Sequence, residues 1–234
     1  MNPSTIDLEE RRYIRSLLRD EGNGQPTAVV LVGSWARGTQ TEPTSDLDLL
    51  VVGSPHSRSP VGRIQVIRRS VDQFRRLALG GDDFAQWALR YGKPVKGRQA
   101  WAVLRRELLD RAPWPNVKPK LDLAARRCRA AQDLLQMGDL DAADEETRFA
   151  LSHLARALLL GAGVFPLSRP ELAAQLQEIG ETDLARLLNT STRDEPVAGR
   201  ELEERLSLLA ARLSALTDGR LAPLKAKAAT ARSQ

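Results

Sequence analysis

The sequence predicts an α+β fold, in which a small mixed-sheet domain over residues 1–113 precedes an all-helical bundle over residues 114–218. Short runs of apolar and β-branched residues, typical of buried strands, are confined to the first domain. After Pro115 the apolar residues recur at helical spacing, with no strand pattern. Residues 219–234 contain basic residues and no acidic one, and are predicted to form a basic, disordered tail.

Apolar segments separated by glycine- and proline-containing turns organise the first domain. Ser70 precedes a segment with helical spacing and is expected to cap it. The predicted strands are 27–32, 46–52 and 63–68, and residues 94–95 are short but compatible with an edge strand. The predicted helices are 5–19, 71–79 and 82–91. The predicted loops are 33–44, which can include a helical turn, and 53–62.

Helical stripes organise the second domain. Leu121, Ala124, Cys128 and Ala131 fall on one face of a helix, and charged residues lie away from it. The segment 168–171 (SRPE) has the spacing of a capping box, with a proline early in the helix it would begin. The further predicted helices are about 141–160, 180–190 and 199–217.

The composition excludes several classes of protein. Cys128 is the only cysteine, so an intramolecular disulfide and a cysteine-based zinc site are both ruled out. No apolar run reaches the roughly 18 residues that a membrane span needs, and the N-terminal residues lack the pattern of a signal peptide. The sequence therefore predicts a cytoplasmic protein with no membrane partner. The formal charge of +5 is compatible with polyanionic partners, although arginine-rich composition produces it without one.

Two carboxylates lie at strand spacing in the second predicted strand. Asp46 and Asp48 are two residues apart, so their side chains should point to the same face, while Leu47 and Leu49 face the core. Neighbouring carboxylates repel each other unless a cation lies between them. Magnesium takes oxygen ligands and keeps positions open for phosphate. The pair is therefore a candidate metal site.

A glycine–serine turn directly follows the first predicted strand. Gly33 would let the backbone approach a ligand closely, and the N–H groups around Ser34 could cradle phosphate. Arg37 could neutralise phosphate charge. Ser45, directly before Asp46, completes the candidate nucleotide-binding residues. If the two strands pair, the turn and the carboxylates meet at one point.

The stretch GSWARGTQTEPTSDLDLLVV, residues 33–52, resembles the signature of the DNA polymerase β-type nucleotidyltransferases, especially the minimal and aminoglycoside branches. The resemblance implies that Gly33 and Ser34 bind a triphosphate, and that Asp46 and Asp48 are catalytic and hold one or two Mg²⁺ ions. These enzymes transfer a nucleoside monophosphate from an NTP, most often ATP, to a hydroxyl group and release pyrophosphate. A looser match extends to about residue 100.

One feature of that family is missing. The family usually has a third carboxylate on the next strand, where Gln65 stands here, and glutamine is neither a general base nor a good magnesium ligand. Three explanations are open: an acid further along the chain, an acid from the helical domain, or a site that binds nucleotide without turnover. In kanamycin-modifying relatives a helical-domain glutamate serves as the base. The candidate acids are Asp72, Asp82 and Asp83, and in the helical domain Asp141, Asp144, Glu145 and Glu146.

The helical domain weakly resembles the HEPN type or the C-terminal domain of aminoglycoside adenylyltransferases. Arg148 and His153 fit the Arg-x4-6-His spacing of HEPN ribonucleases, but five residues along a helix turn side chains apart by about 140°. We therefore interpret His153 as a core or interface histidine.

Three functions follow from these patterns. The first is transfer of a nucleotide to a hydroxyl on a small molecule or a protein. The alternative is a catalytically impaired, nucleotide-binding or antitoxin-like regulatory module, in which Gln65 marks the loss of activity. A nucleic-acid-modifying enzyme ranks last, because no nucleic-acid-binding motif accompanies the basic tail.

Overall fold

The computed structural model describes residues 8–19, 27–40, 45–53, 61–191 and 197–217. The chain divides into two compact units. The first comprises Met1–Pro115 together with Ser168–Pro170, and the second comprises Asn116–Leu167 and Glu171–Gln234. A small mixed sheet followed by a mostly helical region confirms the predicted α+β class. The predicted assignment of each part as a functional domain stays a prediction.

Four strands form the sheet of the first unit, in the order β3-β2-β1-β4. β1 is antiparallel to both β2 and β4, whereas β2 and β3 are parallel. Every residue of β1 is buried, as its unbroken apolar sequence predicts. The strands are β1 Ala28–Leu31, β2 Leu47–Val52, β3 Ile64–Arg69 and β4 Lys93–Lys96.

Five helices belong to the described part of the first unit. The predicted cap is confirmed: the Ser70 hydroxyl accepts a hydrogen bond from the Gln73 backbone, and the Gln73 side chain accepts one from the Ser70 backbone. The five-residue helix α2 occupies part of the predicted loop. The helices are α1 Leu8–Arg19, α2 Gly33–Arg37, α3 Val71–Leu79, α4 Asp83–Tyr91 and α5 Arg98–Leu109.

Helix α5 is not predicted from the sequence. Its buried face consists of Trp101, Leu104 and Leu108, which do have helical spacing. The helix follows Gly97, whose φ of +69° is a conformation that residues with a Cβ rarely adopt. A Cβ at this position would also lie 2.0 Å from the Thr27 carbonyl oxygen. A second aromatic ring, that of Phe74, lies 5.5 Å from the Trp101 ring and anchors α5 to α3.

The second unit is built from helices, with the predicted stripe at its core. Ala124, Cys128 and Ala131 of α6 are buried against α7. Because these side chains are small, the two helix backbones can approach closely. The helices are α6 Lys118–Gln136, α7 Leu140–Gly161, α8 Leu172–Glu178, α9 Thr182–Ser191 and α10 Gly199–Thr217.

The predicted helix start at residues 168–171 takes the form of a 3₁₀ turn, and the capping box predicted there stays a prediction. A 3₁₀ turn over Arg169–Glu171 precedes α8, and no side chain caps that helix. Ser168 instead belongs to the first unit, where its hydroxyl lies 2.7 Å from that of Thr39. The Ser168 hydroxyl therefore has a partner in the first unit that the local pattern does not predict.

The predicted tail, residues 219–234, lies outside the described residues. None of the helices in the described ranges is both long and apolar enough to cross a membrane.

Candidate active site

The pairing of β1 with β2 brings the glycine–serine turn to the carboxylates. Leu31 pairs with Leu49, and the Val32 N–H donates to the Asp48 carbonyl at 3.0 Å. The chain then turns into α2 at Gly33, whose φ is +68°. A Cβ on Gly33 would lie 2.3 Å from Asp48 Oδ2, so no larger residue fits without moving the carboxylate.

The strand alternation holds both aspartates on one face. Asp46 lies just before β2 and is exposed, whereas Asp48 is half-buried within the strand. Leu47 and Leu49 are 5% and 2% exposed, which confirms that they face the core. Asp48 is therefore fixed to a central strand of the sheet, and Asp46 directly precedes that strand.

The electrostatics of Asp48 favour a bound cation. Burial, reinforced by the negative charge of Asp46 and opposed by the positive charge of Arg169, raises the pKa of Asp48 from 3.8 to about 6. A divalent cation between the carboxylates would relieve both the burial of charge and the repulsion.

The donor set fits magnesium only with help from a ligand. Within the described ranges, no group of three or more Asp, Glu, His or Cys side chains is placed to hold a metal. Asp46 and Asp48 would supply two oxygens, and phosphate oxygens and water would complete the shell, as is usual for Mg²⁺ at phosphate-transfer sites.

Gln65 lies beside this pair. In the parallel register of β2 with β3, Asp48 is paired with Gln65. Parallel partners project to the same face, and the Gln65 Nε2 donates to Asp46 Oδ2 at 3.3 Å. An amide therefore contacts the carboxylate pair where a third acid was expected by resemblance.

This contact predicts the effect of restoring an acid. We expect Gln65→Glu to bind Mg²⁺ about tenfold more tightly, since affinity rises with ligand charge. In EDTA the same variant should melt at a lower temperature than the wild type, because a third negative charge adjoins Asp46. Calorimetric Mg²⁺ titration and thermal unfolding check this, with Gln65→Ala as the uncharged control. Unchanged Mg²⁺ affinity in Gln65→Glu would contradict the placement.

The structure gives other roles to several alternative acids. In the first unit, Asp82 caps α4, and exposed Asp72 lies 3.9 Å from Arg75. In the second unit the carboxylates of α7 form internal ion pairs. These pairs are Asp144 with Arg148 at 2.6 Å and with Arg205 at 3.6 Å, and Glu146 with Arg127 at 2.5 Å.

The cap on α4 leads to a test of Asp82. Its Oδ1 accepts from the Ala85 N–H at 2.8 Å, so Asp82→Ala should lower the free energy of unfolding by about 1 kcal/mol. Asp82→Ser should keep most of that stability. Urea denaturation measures the difference. If Asp82→Ser folds normally yet loses nucleotide transfer, Asp82 is a catalytic acid and its role as a cap is incidental.

The remaining predicted residues lie on or beside α2. The Ser34 carbonyl accepts from the Thr39 N–H at 3.0 Å, which closes the turn that ends the helix. The Trp35 indole donates to the Ser45 carbonyl at 3.4 Å and ties α2 to the start of β2. Exposed Arg37 lies over the Tyr91 ring, 5.1 Å from its centroid.

Two contributions were missed from the sequence. Trp35 connects the glycine–serine turn to the start of β2 through its hydrogen bond to Ser45. A large aromatic side chain between two glycines was the sequence feature that could have indicated this role. Arg169 acts on the charge of Asp48 from a distant point in the chain, and no local pattern connects the two residues.

Comparisons with known proteins give one family match, to part of the first unit. Residues 11–91 match the family model described as a nucleotidyltransferase domain. No curated protein matches the chain. Among solved structures, a nucleotidyltransferase-like protein from Exiguobacterium sibiricum is similar, with 20% identity over 89% of this chain and 74% of that chain and a TM-score of 0.43. The carboxylate pair and the glycine turn thus lie inside a segment, residues 11–91, that matches the nucleotidyltransferase domain family.

Proposed function

We propose that this protein is a Mg²⁺-dependent nucleotidyltransferase that transfers NMP, with AMP from ATP as the first candidate, to a hydroxyl on a small molecule or a protein. The observation that carries the proposal is the contact between Gly33 and the Asp48 carboxylate. It puts a backbone suited to phosphate against a carboxylate suited to metal, within the segment that matches the family.

The chain's own residues have separate tasks in this proposal. Asp46 and Asp48 would hold Mg²⁺, which supplies charge neutralisation and orientation of the phosphates when bound. Gly33 lets the Asp48 carboxylate lie against the backbone of the turn, and the N–H groups at Ser34 would donate to phosphate. The buried neighbours of Asp48 keep its carboxylate in place, so little reorganisation is needed during reaction.

Gln65 limits the chemistry at this position. Its amide can donate to Asp46 or to an acceptor hydroxyl, but it cannot take a proton. A group other than Gln65 must therefore accept the proton of the acceptor hydroxyl. The proposal does not require that the second unit supply it.

The experiment is a transfer assay with each α-labelled NTP and Mg²⁺. The acceptors offered are the protein itself, a cell extract and a panel of aminoglycosides. We expect label transfer by the wild type and none by Asp46→Ala/Asp48→Ala. The matched control is Asp110→Ala, which removes an exposed acid at the end of α5.

The outcomes separate the candidate functions. Label transfer by Asp46→Ala/Asp48→Ala at the wild-type level would show that these aspartates are not the catalytic site. Nucleotide binding without transfer to any acceptor would contradict the proposal and favour the regulatory alternative. Salt-sensitive labelling of RNA or DNA in the extract would point to a nucleic-acid acceptor.

Several finer assignments stay predictions. The HEPN-like character of the second unit is one, and there Arg148 is engaged in the ion pair with Asp144. The identity of the nucleotide, the acceptor and the cytoplasmic location are others.

A further inference from the structure

The first unit includes a segment that is remote in the chain. Ser168–Pro170 belongs to this unit, although the residues on either side belong to the second. Ser168 is 3% exposed, and its hydroxyl lies 2.7 Å from the Thr39 hydroxyl. Thr39 is part of the turn that ends α2, since its N–H donates to the Ser34 carbonyl. The segment is therefore attached to the same short helix that begins at Gly33.

Arg169 is held between two fixed neighbours. The Ser168 side chain is hydrogen-bonded to Thr39, and Pro170 restricts the backbone conformation of Arg169, the residue before it. The Arg169 side chain is exposed. Its positive charge lies close enough to Asp48 to lower the pKa of that carboxyl, against the effects of burial and of Asp46.

The position suits an anion that approaches the carboxylate pair from solvent. A guanidinium presents several N–H donors in a planar fork and binds phosphate in a bidentate manner. Hydrogen bonds connect Arg169 to the glycine–serine turn in two steps: Thr39 donates to the Ser34 carbonyl, and the Thr39 hydroxyl contacts that of Ser168, the residue before Arg169. The Arg169 charge and the backbone donors of the turn would then act on one phosphate chain.

We propose that Arg169 is a phosphate-binding residue of this site, whose guanidinium binds the triphosphate of the Mg·NTP substrate. The inference rests on the proposed function. It adds to the site a residue outside the segment 11–91 that matches the family. The competing role is a structural one, in which Arg169 only offsets the negative charge of Asp48.

The test measures ligand affinity by calorimetry on the full chain. The ligands are ATP, GTP, CTP and UTP with Mg²⁺, and the matching monophosphates with Mg²⁺. The variants are Arg169→Gln and Arg169→Lys, with Arg106→Gln as the control because it removes an exposed arginine of α5 in the same unit. Thermal unfolding of each variant establishes that it is folded.

We expect Arg169→Gln to weaken binding of the preferred NTP about 10- to 100-fold, as for loss of a charged hydrogen bond. Arg169→Lys should fall between Gln and wild type, and Arg106→Gln should match the wild type. Monophosphate affinity should change much less than NTP affinity.

Other results would overturn the inference in distinguishable ways. If Arg169→Gln binds NTP as the wild type does, Arg169 is not a phosphate ligand and the proposed function stands. If NTP and monophosphate affinities fall equally, Arg169 acts only through Asp48. If the wild type binds no nucleotide, the proposed function fails and the inference fails with it.

Discussion

Replacing Gly33 by alanine is expected to lower nucleotide transfer about 100-fold or more. The added Cβ would lie 2.3 Å from Asp48 Oδ2, so either the carboxylate or the turn must move. Displacement by about 1 Å at a reacting centre lowers rates about 100-fold, and here both the metal ligand and the phosphate cradle would shift. We therefore expect a loss of about 100-fold or more in the transfer assay.

The same variant should also be less stable. The φ of Gly33 is +68°, a conformation that costs a residue with a Cβ about 1–2 kcal/mol. Gly38→Ala is a matched control, because its φ is +74° but a Cβ there would meet no heavy atom within 4 Å. Gly38→Ala should show the backbone strain and keep most of its activity. Equal activity in both variants would mean that the contact with Asp48 is unimportant.

Replacing Asp48 by asparagine should change activity and stability in opposite directions. Loss of the half-buried carboxylate removes a proposed metal ligand, so transfer should fall about 1,000-fold, within the range seen when electrostatic stabilisation is removed. In EDTA at neutral pH, however, the variant should unfold at a higher temperature than the wild type. The isosteric amide avoids burying a charge that, in EDTA, has no metal ion beside it and that Arg169 offsets only in part.

The pH dependence of this gain follows from the raised pKa. Asp48 has a pKa of about 6 in the folded protein, against the ordinary aspartate value of 3.8 that applies to the unfolded chain. The folded state therefore holds the proton more tightly, and stability falls as pH rises through that window. Because Asp48 is partly exposed, we expect Asp48→Asn to gain about 1–2 kcal/mol near pH 7, less than the full shift implies. The gain should vanish below about pH 4.

Urea unfolding in EDTA at both pH values measures this gain. Asp110→Asn serves as the control, since that acid is exposed, and it should be unaffected. An Asp48→Asn variant that is less stable than the wild type at both pH values would contradict the electrostatic account of the site.

The sequence predicts much of the site because its geometry is local. Asp46 and Asp48 share a face through strand alternation, and neighbouring strands pair, so Gly33 arrives beside Asp48. The same alternation placed Gln65 on the next strand, where the structure shows it in contact with Asp46. Short-range periodicity therefore determined which residues could meet.

What the sequence did not predict depends on tertiary contacts. Ser168 has the pattern of a cap, and its hydroxyl also contacts that of Thr39, so Arg169 belongs to the first unit. No spacing rule relates residues so far apart in the chain. Helix α5 had an apolar stripe, but its start depends on Gly97 packing against Thr27, which is equally non-local.

The second unit was predicted at the level of helices and no further. The stripe at Ala124, Cys128 and Ala131 gave the buried face of α6. The acidic start of α7 was open to a catalytic role, and only the structure shows Asp144 paired with Arg205 of α10 and Glu146 paired with Arg127 of α6. Ion pairs between helices depend on packing, which the sequence pattern does not specify.

The most direct test of the central claim is calorimetric binding of NTP to the wild type and to Asp46→Asn/Asp48→Asn, each with Mg²⁺ and with EDTA. We predict that the wild type binds NTP only with Mg²⁺, and that the double variant binds about 100-fold more weakly or not at all. Equal binding by the two proteins, or binding by the wild type that is unchanged in EDTA, would show that Asp46 and Asp48 are not the metal site.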